Sequence, residues 1–236
     1  MSMESKVLLD LIGIKKSFES EEGKLAVLNG VNLRLNKNEI IAIVGESGTG
    51  KSTLLHVASG LLSPEEGEIY WKEERIDRLP SWEKDKRRRG FMGFVFQMPM
   101  LMEELTVLEN IIVSMMISGK SFEKSPTQKA LNLLKMVNMQ GKENHRPSTL
   151  SVGEAQRTAV LRAVAFSPEV VLADEPTASL DPANTLKMAH LIKDLRDRLG
   201  TAFLIVTHNL EFAEKVADRI MLLEDGTLKE AILTKT

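Results

Sequence analysis

The chain contains no cysteine. That excludes disulfides, thiolate metal sites and cysteine nucleophiles together, and it fits a reducing compartment. Long apolar runs are missing too. The longest candidate, Ile111–Ile117, is interrupted by Ser114 and falls far short of the ~18–20 residues that span a bilayer as a helix. The opening MSMESKVLLD lacks a basic start followed by an apolar core, so no secretory signal is expected. The chain is therefore not expected to enter a membrane by itself, and any membrane role must come through a partner. Nor does either sign of charge dominate: 31 Lys and Arg against 33 Asp and Glu leave a formal net charge of −2. Nothing therefore argues for the broad basic surface of a nucleic-acid binder, and no nucleic-acid partner is expected. The one basic run, Lys84–Arg89, is broken by Asp85 and reads as a solvated face or helix end.

What is present suffices for one large domain with a sizeable core, since 43% of the 236 residues are hydrophobic. Three short apolar, β-branched runs read as buried strands: Glu39–Val44, Val170–Ala173 and Ala202–Val206. Helical patterns follow each of them, at Lys51–Ser59, Ala183–Leu199 and Leu210–Val216. Strands alternating with helices predict a mostly parallel sheet covered on both faces. Ahead of this core, Val7–Phe18 and Ala26–Leu35 read as antiparallel strands joined through Glu21-Glu-Gly23. Near the end, Asp225-Gly226 between Ile220–Leu223 and Thr227–Ala231 is a strong hairpin signal. Leu105–Ser118 and Ser125–Met139 are helical in pattern, which predicts a helical subdomain inserted over residues 100–165.

The first apolar run leads into Gly45-Glu46-Ser47-Gly48-Thr49-Gly50-Lys51-Ser52-Thr53, which fits G-x-x-x-x-G-K-S/T. A chain of this length matches by chance roughly once in a hundred, and the strand-before, helix-after context sharpens the match. Glycines let backbone N–H groups converge on phosphates, and the helix N-terminus adds favourable partial charge. Lys51 would reach the β- and γ-phosphates and Ser52 would ligate Mg²⁺. The second run ends at Asp174-Glu175, where open α/β sheets place ligand chemistry. Asp174 suits Mg²⁺ coordination through water, and Glu175 suits polarising an attacking water. Alone such a pair is more often a helix cap; beside a phosphate loop it reads as the second half of the site. Gln97 and His208 follow strand-like segments, Phe91–Phe96 and Ala202–Val206. They are expected to converge on the same ligand, with His208 near the γ-phosphate or the water.

Together these segments resemble the nucleotide-binding subunits of ABC transporters over essentially the whole chain. In the family's order stand the phosphate loop, Gln97 as the Q-loop and Leu150-Ser-Val-Gly-Glu-Ala-Gln-Arg157 as the signature. Asp174-Glu175 then matches the Walker B carboxylates, Ser179-Leu-Asp181 the D-loop and His208 the switch histidine. Within the family the likeness is nearest to the ATPases of lipoprotein-releasing and MacB-type exporters. It is carried by Gly45–His56, Asn144-His-Arg-Pro147, Leu172–Pro176 and Gly200–His208.

The resemblance implies an α/β fold: a P-loop NTPase core with a mostly parallel sheet, an N-terminal antiparallel β subdomain and the inserted helical subdomain. A single domain over 1–236 is implied, with the core in 1–99 and 166–236 and the signature in 100–165. ATP and Mg²⁺ are the implied ligands, the metal on Ser52, Gln97 and Asp174, with Gln97 also near the reacting groups. Phe18 would stack on adenine, although the family more often uses tyrosine, and a core or hairpin role is the alternative. Implied partners are a second copy, forming a homodimer around two ATP, and integral membrane transporter subunits. The implied location is peripheral, on the cytoplasmic face of the inner (cell) membrane. Ser151, Val152, Gly153, Glu154 and Asp181 would then meet the partner's nucleotide. The same segment also reads as a Ser-capped helix closed by Glu154, and both readings can hold.

The signature departs from the usual Leu-Ser-Gly-Gly-Gln at Val152 and Glu154. Valine adds bulk and disfavours positive φ, and a carboxylate approaches an anionic ligand, so weaker closure or slower turnover is expected. A soluble ABC ATPase of repair or translation is one rival, though those resembling proteins carry paired domains or coiled-coil insertions. A low-turnover nucleotide-dependent regulator or scaffold is the other. Finally, Met98-Pro-Met-Leu-Met102 reads equally as core filling or as a docking groove for a helix of a membrane subunit.

Overall fold

Two sheets organise the computed structural model, which describes residues 6–20, 23–121 and 125–231. Glu21 and Glu22 of the expected first hairpin connection lie outside the described residues, as does the start of the opening segment. β1 (Val7–Ser20) and β2 (Gly23–Asn36) pair antiparallel as expected. β1 also pairs with β4 (Glu66–Trp71), and β4 with β5 (Glu74–Arg75), giving a four-stranded antiparallel sheet.

The second sheet carries the core. Its strands are β3 (Ile40–Val44), β6 (Met92–Val95), β7 (Val170–Asp174), β8 (Ala202–Thr207), β9 (Arg219–Glu224) and β10 (Thr227–Glu230). Their spatial order is β10-β9-β3-β8-β7-β6, parallel except for the terminal β9–β10 hairpin. Asp225 and Gly226 both take positive φ, 48° and 69°, the twist that a two-residue hairpin turn requires. Strands buried on both faces need apolar residues at every position, and alternation then decides which layer each one serves. On β7 and β8, Val171, Ala173, Phe203 and Ile205 face the helical layer. Val170, Leu172, Leu204 and Val206 face the antiparallel sheet and α1 (Lys51–Ala58).

The helical layer comprises α3 (Val107–Ile117), α4 (Pro126–Met136), a 3-10 turn at Pro147–Thr149 and α5 (Val152–Val164). α6 (Pro182–Leu199) and α7 (Leu210–Val216) follow β7 and β8 as expected. Val107, Ile111 and Leu133 share one apolar cluster with Val160, Val171 and Ile205, so the inserted helices and the sheet are packed through a common core. Thr106 and Ser151 each close a capping box at the start of α3 and α5. Fully buried Asn110 fixes the approach to α3: its Oδ1 accepts from Met102 N at 2.9 Å and its Nδ2 donates to Met102 O at 3.0 Å.

The basic run ends a helix, as one of its two sequence readings had it, with Arg88 and Arg89 in the last turn. It lies on α2 (Ser81–Phe91), but Lys84 is buried, with Nζ 3.3 Å from Ser63 Oγ. Arg88 Nε donates to Ser59 O at 2.7 Å, and its guanidinium lies over the Trp71 ring at 5.9 Å. Trp71 Nε1 in turn donates to Ala58 O at 2.9 Å. Two orphan carbonyls at the end of α1 are thereby satisfied. Part of the run is thus structural, not a solvated face.

Gly93 on β6 sets the distance to α5, because a Cβ there would stand 2.2 Å from Ala163 O. Gly93→Ala is therefore expected to destabilise the fold by about 1–3 kcal/mol through overpacking. Urea unfolding of the variant beside wild type measures it.

Candidate active site

β3 runs out at Val44, and the chain turns through Gly45–Gly50 into α1. Backbone geometry demands the glycines. Gly48 and Gly50 take φ of 84° and 99°, and a Cβ on Gly50 would meet Val27 Cγ1 at 2.5 Å. A Cβ on Gly45 would stand 2.6 Å from Leu223 O. Thr49 Oγ1 donates to Glu46 O at 3.0 Å inside the loop. Lys51 is buried, its Nζ donating to Gly45 O at 2.8 Å and Glu46 O at 2.6 Å. The ammonium is thus parked on two loop carbonyls. Gly50 offers no side-chain cap, and α1 has no acidic residue in its first turn. The positive end of that helix is left for an anion.

β7 delivers Asp174 and Glu175 to the same edge. Glu175 sits at φ 46°, an unfavourable region for a residue with a Cβ, while its N–H donates to Val206 O at 2.9 Å. Its carboxylate is bonded to His208: Oε1 lies 2.9 Å from Nδ1, and the His208 N–H donates to Oε2 at 3.3 Å. The Glu175 side chain is 13% exposed and that of His208 61%, so a shielded carboxylate orients an accessible imidazole.

These groups converge. Ser47, Gly48, Gly50, Lys51, Ser52 and Thr53 line a cleft of about 540 Å³. Asp174, Glu175, Gln97 and His208 face the same cleft, whose other wall is Phe18 and Val27. Phe18 is 40% exposed at the end of β1, with Lys16 Nζ 5.6 Å from its ring centroid. It is therefore not a core residue. Val27 went unnoticed in sequence, because nothing in an alternating strand marks the residue that ends at a cleft mouth. Among the described residues no group of three or more His, Cys, Asp or Glu could hold a metal alone. The Ser52 hydroxyl, Asp174 carboxylate and Gln97 amide are nevertheless hard oxygen donors. They fit Mg²⁺, which takes few protein ligands and completes its shell with phosphate and water.

The signature residues do not line this cleft. They form a second site at the start of α5. Ser151 N–H and Oγ both donate to Glu154 Oε2, at 2.9 and 3.0 Å, and Ser151 Oγ accepts from Glu154 N at 3.3 Å. Glu154 Oε1 pairs with Lys142 Nζ at 3.1 Å. The Ser151 N–H, ahead of Lys142, pulls the Glu154 carboxyl down to about 2 against the opposing effect of burial. Val152 is exposed and takes no positive φ, which removes the expected backbone strain. Gly153 lies close to Asn184, whose backbone N–H Asp181 caps at 2.8 Å. That bond holds the Asp181 carboxyl below its usual range. The starts of α5 and α6 thus share one face, away from the chain's own cleft.

A family model described as ABC transporter matches residues 28–178. The lipoprotein-releasing system ATP-binding protein LolD of Bacteroides thetaiotaomicron is 42% identical over 223 residues, covering 94% of this chain and 100% of that relative. The protein of the same name from Acinetobacter baylyi is 37% identical over 222 residues, covering 94% of this chain and 97% of its own. Among solved structures, a dimeric ATP-binding cassette in a post-hydrolysis state with ADP and Pi superposes with a TM-score of 0.86 at 34% identity. That match covers 97% of this chain and 100% of the other.

The capping carboxylate makes stability depend on pH. Its folded-state pKa lies below the ordinary 4.5, so its contribution is complete above 4.5 and is lost as the pH falls towards about 2. Wild type is expected to melt above Glu154→Gln at neutral pH, and the gap to close over that acid window. Thermal unfolding followed by circular dichroism at stepped pH checks this.

Proposed function

The chain belongs to the ABC transporter family of ATP-binding cassettes, and from that membership we propose that it drives a lipoprotein-releasing transporter as a homodimeric motor. Nucleotide binding and ATP hydrolysis belong to the family. One observation carries the reading to particular residues: the phosphate loop, Gln97, Asp174, Glu175 and His208 line one cleft. Release of lipoproteins is the stated role of the relatives at 37% and 42% identity, and it comes to this chain by that likeness.

The proposed mechanism follows from the geometry. Loop N–H groups and the open start of α1 receive the phosphates, and Lys51 exchanges the carbonyls of Gly45 and Glu46 for phosphate oxygens. Mg²⁺, when bound, would offset phosphate charge, with Ser52, Asp174 and Gln97 as its protein donors. Glu175 accepts a hydrogen bond from water and turns its lone pair towards the γ-phosphorus; the bond to the bridging oxygen breaks, leaving ADP and Pi. His208 faces the same cleft, and on leaving the Glu175 carboxylate its ring N–H would donate to a γ-phosphate oxygen. Phe18 supplies the face for adenine.

Ser151–Glu154 and Asp181 do not line this cleft, so they would serve the nucleotide of a second copy. A membrane subunit has a suitable landing place. Phe94, Phe96, Met102, Val113 and Ile117 line an apolar groove of about 430 Å³, rimmed by Arg88 and Arg89. Met98 and Met100 beside it are 70% and 63% exposed, which fits docking and not core filling. Among the described residues no helix is long and apolar enough to cross a membrane. The motor would therefore sit peripherally on the cytoplasmic face of the inner membrane, held by that groove.

Glu175→Gln is expected to slow phosphate release at least about a hundredfold while nucleotide binding persists. Unchanged turnover would leave only a scaffold. For the groove, Met102→Asp is expected to abolish co-purification with membrane subunits. Basal ATPase should persist, and stability should shift by less than about 0.5 kcal/mol; loss of folding instead would mean that Met102 is a core residue.

A further inference from the structure

Glu154 occupies a position where its charge cuts both ways. At the third residue of α5 it caps the helix, satisfying Ser151 N–H and Oγ at 2.9 and 3.0 Å. A carboxylate there suits the positive helix end. It also puts a like charge on the very surface that, in the reading above, must accept another copy's triphosphate. The remaining carboxylate oxygen, Oε1, is the one not used by Ser151, and Lys142 Nζ stands 3.1 Å from it.

Lys142 does not arrive there on a loose loop. Its N–H donates to Met139 O at 3.2 Å and its carbonyl accepts from His145 N at 3.0 Å. Met139 is buried, and His145 O accepts from Val107 N at 2.9 Å, tying the loop to the start of α3. Glu154 itself is 20% exposed at the side chain and Lys142 34%, so the pair is more shielded than most surface ion pairs.

We propose that Lys142 is a positioning residue for ATP hydrolysis. Its ammonium cancels the Glu154 charge and keeps that carboxylate folded onto the start of α5, so the helix end presents no net negative charge to the partner's γ-phosphate. In a chain with glutamine at this position no such cation is needed, so Lys142 is the counterpart of the departure at Glu154. The proposal rests on the dimeric reading of the signature.

Steady-state phosphate release from the purified chain, with ATP varied, tests it. Lys142→Met is expected to raise the apparent KM for ATP roughly three- to tenfold with kcat nearly unchanged, because repulsion acts on closure and not on the chemical step. Raising salt should shrink the defect, and Lys142→Arg should restore wild-type KM. In a Glu154→Gln background, Lys142→Met should no longer change KM. An unchanged KM in the single variant, or an equal rise in the Glu154→Gln background, overturns the proposal. Ser151→Ala separates this from the underlying reading. If Ser151→Ala keeps wild-type turnover with an intact fold, α5 does not serve the nucleotide and both ideas fall. If turnover collapses while Lys142→Met is silent, only the role of Lys142 falls.

Discussion

The structure depends on a helix whose start is left open. α3, α4, α5 and α6 begin under side-chain caps from Thr106, Ser125, Ser151 and Asp181, whereas α1 begins at Gly50 with none. A missing cap costs about 1 kcal/mol, and an eight-residue helix has little propensity of its own to offset it. Compensation comes from packing and from the far end. Leu54, Val57 and Ala58 are buried between the two sheets, while Trp71 and Arg88 close the terminal carbonyls. The antiparallel sheet and α2 are thus the means by which an anion-receiving helix end stays rigid without being capped.

How much was legible in sequence follows from how local each signal is. The phosphate loop was readable because its glycines, lysine and serine are contiguous and its chemistry lies in the backbone. Asp174-Glu175 and His208 were placed by the buried strands before them, whose uninterrupted apolar character has no other ready explanation. α2 was missed because SWEKDKRRRGF shows no apolar stripe; it is held by Phe91, by the stem of Lys84 and by hydrogen bonds. β4 and β5 were missed for a related reason, their burial being too uneven to alternate cleanly. Lys142 could not have been found, since pairing with Glu154 across the 3-10 turn leaves no periodicity. Val152 starts α5 without positive φ, so of the two arguments raised against it in sequence only its added bulk remains.

α5 joins the two surfaces that matter. Its first residues carry Ser151 and Glu154, and its flank reaches the segment after β6: Gln156 Nε2 donates to Phe96 O at 3.2 Å, and Arg162 Nη2 to Pro99 O at 3.0 Å. Phe96 lines the apolar groove and directly precedes Gln97, and Pro99 follows two residues after it. A single rigid rod therefore touches both the signature face and the segment that carries the exposed methionines. The link is made by the Gln156 and Arg162 side chains to backbone carbonyls, so the two surfaces are joined through hydrogen bonds as well as apolar packing.

The left-handed backbone at Glu175 has an evolutionary consequence. Glycine or asparagine would sit there with less strain, so selection for stability alone pushes this position away from glutamate. In the proposed mechanism, what holds it is the work of the carboxylate on the attacking water. In a duplicated copy released from hydrolysis, residue 175 should be among the first to drift, towards a sturdier and idle protein. Under that mechanism, its identity in any descendant is expected to track whether that copy still turns over ATP.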